Sequence, residues 1–348
     1  MEERARLGNK DSMIRSLGTR SRCPRAAALA FVLAALWGPL AVTPSLAEDL
    51  TTVRFVFDWS VADFAIVPLV VGQQMGFYKN HGLKVEVLFP PDAQTTARML
   101  ATDRGDIGFE GATDLVFAAN YGIPIISIAN FTQTNSWCLI ARPGERIDLT
   151  ELKGKAVGSF TDSWSKAMMS FVLKKANLHD GDVRQIITQE DDLPLLLTRK
   201  IDIATNGAAY GTASIMDALH LPPALACNDA IGVPNIPVWA LTASLSWLKF
   251  HGATAKAWLA ATSEAIDWSI AHPTEAASLF TQAYPSSGSN NYNIIGWNFT
   301  TKLMNGPAGY FRQTDAQWTV LPNAIKNLGQ ISAVKPPSSY YTNAYLPD

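Results

Sequence analysis

The chain has 348 residues, 28 Lys and Arg against 30 Asp and Glu for a formal net charge of −2, and 48 % hydrophobic residues. That balance excludes a binder of nucleic acid built on positive charge, and three cysteines exclude a disulfide-dense scaffold. So long a chain exceeds the usual size of one core, which points to two lobes.

The N-terminus reads as a secretory signal peptide over residues 1–47. Arg15, Arg20, Arg22 and Arg25 precede the apolar run Ala26 to Leu36, and Ser45-Leu46-Ala47 offers small residues for cleavage. Gly38-Pro39 and Pro44 interrupt the run short of the ~20 residues a membrane span needs. Cys23 stands before the apolar run, where it cannot be the lipidated residue of a cleaved product. The expected mature protein starts near Glu48, is exported to the periplasm, and carries 21 basic and 27 acidic residues for a net charge of −6. Its remaining cysteines, Cys138 and Cys227, are expected as two buried free thiols.

From Val53 onward, strand-like runs (Val53 to Phe57, Leu83 to Phe89, Ile107 to Phe109, Ile125 to Phe131) alternate with helix-length segments, among them Ala112 to Tyr121. This is the pattern of βαβ units and a parallel sheet. The extended run Ser136 to Arg142 predicts a first crossover. A second series follows, with strands at Ala156 to Phe160, Val183 to Thr188 and Ile201 to Thr205, helices at Trp164 to Ala176 and Asp191 to Arg199, and a second parallel sheet expected. A helix opens after Asn206-Gly207 toward Leu219, and Ala224 to Cys227 and Val238 to Thr242 read as extended. The Pro-rich piece Gly232 to Pro237 predicts the second crossover. Beyond Ser244 the pattern is helical, at Ala255 to Ala271, Pro273 to Ala283, Tyr292 to Met304 and Asp315 to Leu328, before a tyrosine-bearing strap from Pro336 to the end. The expected organisation is a discontinuous first lobe, residues 48–138 with 238–348, and a second lobe, residues 139–237. An α/β protein of two lobes with two crossovers and a helical C-terminal region forms a cleft that closes by hinge motion.

The turns at the carboxyl ends of parallel strands line the crevice of such a sheet. Asp58 and Trp59 leave the first strand as a carboxylate beside an indole, a pair suited to a flat, nitrogen-containing ligand; a core tryptophan with a capping aspartate is the other reading. Glu110 and Gly111 form the turn after the third strand, where Glu110 is either a second acceptor or a solvated loop carboxylate. Asp63 and Asp114 read as helix N-terminal charges that complement the dipole. On the facing side, Thr161, Asp162 and Trp164 open one helix and Asn206 and Tyr210 open another, both with backbone donors to offer. Capping is the competing role for Thr161 and Asp162, and core packing for Trp164 and Tyr210. No Lys or Arg falls in these turns, so a neutral or weakly basic ligand is expected over an anion. HExxH, CxxC, GxSxG and P-loop patterns are absent, and the histidines show no metal-ligand spacing, so no catalytic residue, metal or cofactor is expected.

Asp58-Trp59, the run Gly76 to Glu86, Gly105-Asp106-Ile107-Gly108, Leu152 to Gly158 and Lys200 to Ala204 occur in an order and spacing that resemble the ABC-transporter solute-binding proteins of the nitrate/sulfonate/taurine and thiamine-pyrimidine-precursor group. The resemblance covers roughly residues 53–242. It implies a periplasmic-binding-protein type II (Venus flytrap) fold, a small-molecule ligand, delivery to a permease in the cytoplasmic membrane, and a monomer. Asp-Trp after the first strand is most similar to the pyrimidine-precursor branch, where aromatics stack on the ring and carboxylates take its amino groups. The turn Ser159 to Trp164 is less glycine-rich than is usual there, and Asn206-Gly207-Ala208 lacks an acidic residue. Eukaryotic relatives of the branch are synthases that use a cysteine-rich cluster and a histidine; nothing comparable stands in this sequence, which favours binding over catalysis. A sulfonate, nitrate or taurine binder and an exported enzyme acting on a heterocycle are the alternatives.

Overall fold

The computed structural model describes residues 49–188, 191–304 and 309–347; the expected signal peptide lies outside them. Among the described residues ten strands run in chain order: β1 (Thr51–Val56), β2 (Leu83–Leu88), β3 (Ile107–Gly111), β4 (Ile125–Asn130), β5 (Trp137–Ala141), β6 (Ala156–Ser159), β7 (Arg184–Ile187), β8 (Ala204–Gly207), β9 (Ala224–Cys227) and β10 (Trp239–Ser244). Five of them make one sheet in the order β2-β1-β3-β10-β4. β1 is parallel to β2 and β3, whereas β10 is antiparallel to both β3 and β4. The chain therefore returns after residue 237 and inserts a strand between two that are successive in sequence. β3, β4 and β10 are buried along their whole length on both faces, which explains why they are mostly apolar and show no regular alternation.

One side of this sheet is covered by an aromatic-rich core. Phe55 stacks on Trp258 at 5.6 Å between centroids, and Tyr78 on the same indole at 6.0 Å. Trp258 belongs to the helix Leu245–Ala271, which starts ten residues before the sequence pattern suggests and bends where His251 leaves helical geometry (φ −122°, ψ 24°). The helices Ala112–Tyr121 and Pro273–Ala283 occupy the residues their patterns predict. Arg54 in β1 forks onto Asp106, with Nη2 to Oδ1 at 2.7 Å and Nε to Oδ2 at 3.1 Å, which ties β1 to the turn before β3. The C-terminal strap does more than lie on the surface. Ser127 N–H donates to Tyr340 O and Thr342 N–H to Ser127 O, both at 2.9 Å, so the strap covers the open edge of β4.

The strands between residues 137 and 227 are not the second parallel sheet that alternation predicts. β6 and β7 are parallel, but β5 lies antiparallel between β8 and β9, and a single parallel bridge from Val157 to Ile203 links the two groups. Side-chain alternation carries no information on strand direction, and short strands such as Ala204–Gly207 and Ala224–Cys227 leave little pattern to read. β8 also begins three residues later than expected and takes in Asn206 and Gly207.

This pairing corrects the expectation of free thiols. Cys138 and Cys227 stand directly opposite each other on β5 and β9, with Cα atoms 4.4 Å apart, and their sulfurs are bonded. The bond closes a separation of 89 residues, a long loop whose closure removes much freedom from the unfolded chain. Reduction, or a Cys138→Ser/Cys227→Ser variant, is expected to cost roughly 2–4 kcal/mol in urea unfolding. An unchanged midpoint with and without reductant would show that the bond contributes nothing.

Candidate functional site

A cavity of about 530 Å³ opens between the carboxyl ends of the first sheet's strands and the helix starts of the second strand group. That volume lies within the range of small-ligand sites. Four of the places where the chain reaches it are turns at the ends of elements. Asp58 and Trp59 follow β1, and Gly111 ends β3. Asp162 is the N-cap of the helix Ser163–Lys175, its Oδ1 accepting from Ser165 N–H at 2.7 Å, and Trp164 sits in that helix's first turn. Asn206 and Tyr210 flank the start of the helix Ala208–Leu219. A Cβ on Gly207 would come within 2.9 Å of Tyr210 Cδ2, so glycine is what lets that ring fold back over the helix start.

Seven of the nine sequence-derived candidates thus line one cavity: Asp58, Trp59, Gly111, Asp162, Trp164, Asn206 and Tyr210. Glu110 and Thr161 do not. Thr161 is exposed, while Glu110 is fully buried beside β10, opposite Ala240, with neither carboxylate oxygen hydrogen-bonded. Pleating explains the latter, since residue 110 points to the opposite sheet face from Phe109. Glu110 is neither the solvated loop carboxylate nor a lining acceptor.

Residues read as purely local prove to reach across the cavity. Asp63 caps a short helical turn by accepting from Ala65 N–H at 2.7 Å, and its other oxygen accepts from Tyr210 O–H at 3.0 Å. Asp114, in the first turn of Ala112–Tyr121, accepts from Ser163 O–H. Each carboxylate therefore links the first sheet's side to a helix of the second group. Trp137 and Trp239 open β5 and β10 and also line the cavity, as do Asp191, Asp217, the segment Ser286 to Ser289 and Tyr292. The sequence marks the two tryptophans only as strand residues. The signal for them was their position as first residues of the strands adjoining the two crossovers.

The walls are aromatic. Trp164 lies 6.2 Å from Trp239, Tyr210 meets Trp239 edge-on at 6.1 Å, and Phe64 contacts both Tyr210 at 4.6 Å and Tyr292 at 5.4 Å. The lining also carries aspartates, and no Lys, Arg or His is among its described residues. Desolvation is the main cause that pushes the carboxyls up. Asp63 rises to about 6 and Asp114 to about 7, the latter restrained by its bond from Ser163. Asp58 rises well above the usual range, first by desolvation and then by repulsion from Asp63 and Asp114. Glu110 is raised in the same way, with Asp114 and Asp58 as its repelling neighbours.

Two groups of strands joined by the segments between β4 and β5 and between β9 and β10, with a ligand-sized cavity between them, define the periplasmic-binding-protein fold. The solved periplasmic aliphatic sulphonate binding protein SsuA of Escherichia coli superposes with a TM-score of 0.63 over 84 % of this chain and 92 % of its own, at 12 % identity. A Haemophilus influenzae protein named "Putative thiamine biosynthesis protein" is 26 % identical over 285 residues, 80 % of this chain and 87 % of that one. The 4-amino-5-hydroxymethyl-2-methylpyrimidine phosphate synthase of Aspergillus parasiticus is 22 % identical over 308 residues, 84 % and 87 % of the two chains. The family described as NMT1/THI5 like matches residues 63–276. This chain belongs to the NMT1/THI5-like family.

Proposed function

We propose that this chain is the extracytoplasmic solute-binding component of an ABC importer. In this reading, lobes of residues 48–138 with 238–348 and of residues 139–237 close over a small heteroaromatic ligand resembling the pyrimidine precursor of thiamine. The monomer holds the ligand without turning it over and delivers it to a permease. One observation carries the ligand class: the cavity combines Trp59, Trp164, Trp239, Tyr210 and Tyr292 with a set of aspartates and has no cationic side chain in its lining. Indole and phenol faces stack on a flat ring, and carboxylates accept from its amino groups.

A sulfonate would meet only like charge here, so the anion named for the Escherichia coli structure is a poor guide to this ligand. Some family members are named as synthases; the absence of Cys and His from the lining supports reversible capture instead. Calorimetry of 4-amino-5-hydroxymethyl-2-methylpyrimidine against taurine and alkanesulfonates tests the reading. The pyrimidine should bind and be recovered unchanged; tight binding of a sulfonate alone rejects it, and turnover of the bound ring rejects the non-catalytic role. Trp59→Ala should weaken pyrimidine binding by about 1–3 kcal/mol, the scale of base-like stacking, with the circular dichroism spectrum retained. An unaltered dissociation constant for that variant removes Trp59 from the site.

A further inference from the structure

Six aspartates face the cavity: Asp58, Asp63, Asp114, Asp162, Asp191 and Asp217. Five of them have protein donors. Tyr210 serves Asp63, Ser163 serves Asp114, Ser165 N–H serves Asp162, Leu193 N–H serves Asp191, and Ser289 with Asn291 serves Asp217. Asp58 receives a hydrogen bond from no other residue among those described, although Asp63, Asp114 and Asp162 all repel its charge. Glu110 adds a further carboxyl from within the sheet, and the remaining titratable groups of the lining, Tyr210 and Tyr292, bring no positive charge.

A second observation is independent of charge. Trp137 lines the same cavity and is only 1 % exposed, yet its Nε1–H has no acceptor among the described residues. A buried donor left unpaired is costly, so the cavity is incomplete without a guest.

We infer that the guest is a planar organic cation, selected by its positive charge as well as its ring, with Asp58 taking the charge and the surrounding indole and phenol faces supplying cation–π contact. The inference rests on the reading of this cavity as the ligand site and sharpens it from an amine-bearing heteroaromatic to a charged one. A 4-aminopyrimidine fits when its ring nitrogen is protonated. Desolvation raises Asp58, Asp63 and Asp114, with repulsion adding to it at Asp58 and Asp114, and a bound cation reverses that balance. Binding of a permanent cation therefore expels protons and strengthens as pH rises through the range in which Asp63 and Asp114 ionise, about 6 to about 7.

Calorimetry of the mature chain with benzamidine, charged throughout the range, and benzamide, its neutral counterpart of the same outline, reads the charge alone. Benzamidine should bind at least tenfold more tightly than benzamide at pH 7.5, lose at least tenfold in affinity by pH 5.5, and release protons that appear as a dependence on the buffer's ionisation heat. Asp58→Asn should remove the preference with the circular dichroism spectrum intact, and Asp63→Asn should flatten the pH profile. Equal affinities, a preference for benzamide or no benzamidine binding overturns the inference. Titration of 4-amino-5-hydroxymethyl-2-methylpyrimidine in parallel separates the two claims. Pyrimidine binding without a benzamidine preference sinks the charge inference alone, and a benzamidine preference without pyrimidine binding sinks the thiamine-precursor reading alone.

Discussion

The phosphate ester of 4-amino-5-hydroxymethyl-2-methylpyrimidine is expected to bind at least a hundredfold more weakly than the free alcohol. The ester would bring a dianion into a cavity whose charged lining is all aspartate. Two like charges ~5 Å apart at an effective dielectric of ~20 repel by roughly 3 kcal/mol, and several aspartates face the same space. Their raised affinity for protons softens this, since Asp114 at about 7 is half neutral near that pH, but taking up protons to admit an anion itself costs free energy. Helix starts offer some compensation. Ser163–Lys175 and Ala208–Leu219 both begin at the cavity, but the first is capped by Asp162, whose carboxylate already occupies a first-turn donor. Calorimetric titration of both compounds at pH 7.5 and low ionic strength decides the matter. If the ester binds as tightly as the alcohol, charge is not what this cavity selects, and a site designed for a phosphorylated pyrimidine must be sought elsewhere in the chain.

The strand-end turns were legible because their chemistry is local. Asp58-Trp59 is an adjacent pair at the end of a strongly apolar strand, and Thr161-Asp162-Ser163 is a capping sequence ahead of a helical pattern. Both land where the pattern puts them, with Asp162 capping and lining at once. Glu110 misleads because the strand runs two residues beyond the expected end at Phe109. β3 runs through Gly111, so residue 110 is still inside the pleat and turns into the interior instead of into the cleft. Asp63 and Asp114 erred the other way. A helix-start aspartate satisfies a local role so fully that nothing in the sequence announces its second partner, Tyr210 or Ser163, 147 and 49 residues away. The Cys138–Cys227 bond was hidden for a related reason. It depends on β5 lying antiparallel to β9, and strand direction within a sheet follows from the path of the whole chain. Tyr292 and Ser286 to Ser289 come from the helical C-terminal region, whose pattern speaks only of packing.

The empty protein is expected to be more stable at pH 5 than at pH 8, the reverse of a protein held by surface ion pairs. Asp63 at about 6, Asp114 at about 7 and Asp192 at about 7 all bind protons more tightly when folded than at their ordinary value of 3.8, with desolvation as the leading cause. Between pH 4 and 7 the native state therefore holds more protons than the unfolded chain. Stability is full below 4 and is lost as pH rises through these folded values. A single carboxyl raised from 3.8 to about 6 forfeits roughly 3 kcal/mol over that window, and the loss in urea unfolding should be at least that of one such group. Asp148 and Asp182 are shifted the opposite way by their hydrogen bonds, but their contribution changes below pH 4, outside the window. Asp114→Asn keeps an oxygen to accept from Ser163 while removing the charge, so it should flatten part of the profile and raise stability at pH 8. The same variant should lose affinity for a cationic guest. Stability at pH 8 and ligand affinity are thus opposed at this residue, because the aspartates that face one another across the cavity are the groups a positive charge would reconcile. A midpoint that rises from pH 5 to 8, or an Asp114→Asn profile parallel to that of the unmodified chain, would show that these carboxyls ionise freely and that the cavity is better hydrated than its walls imply.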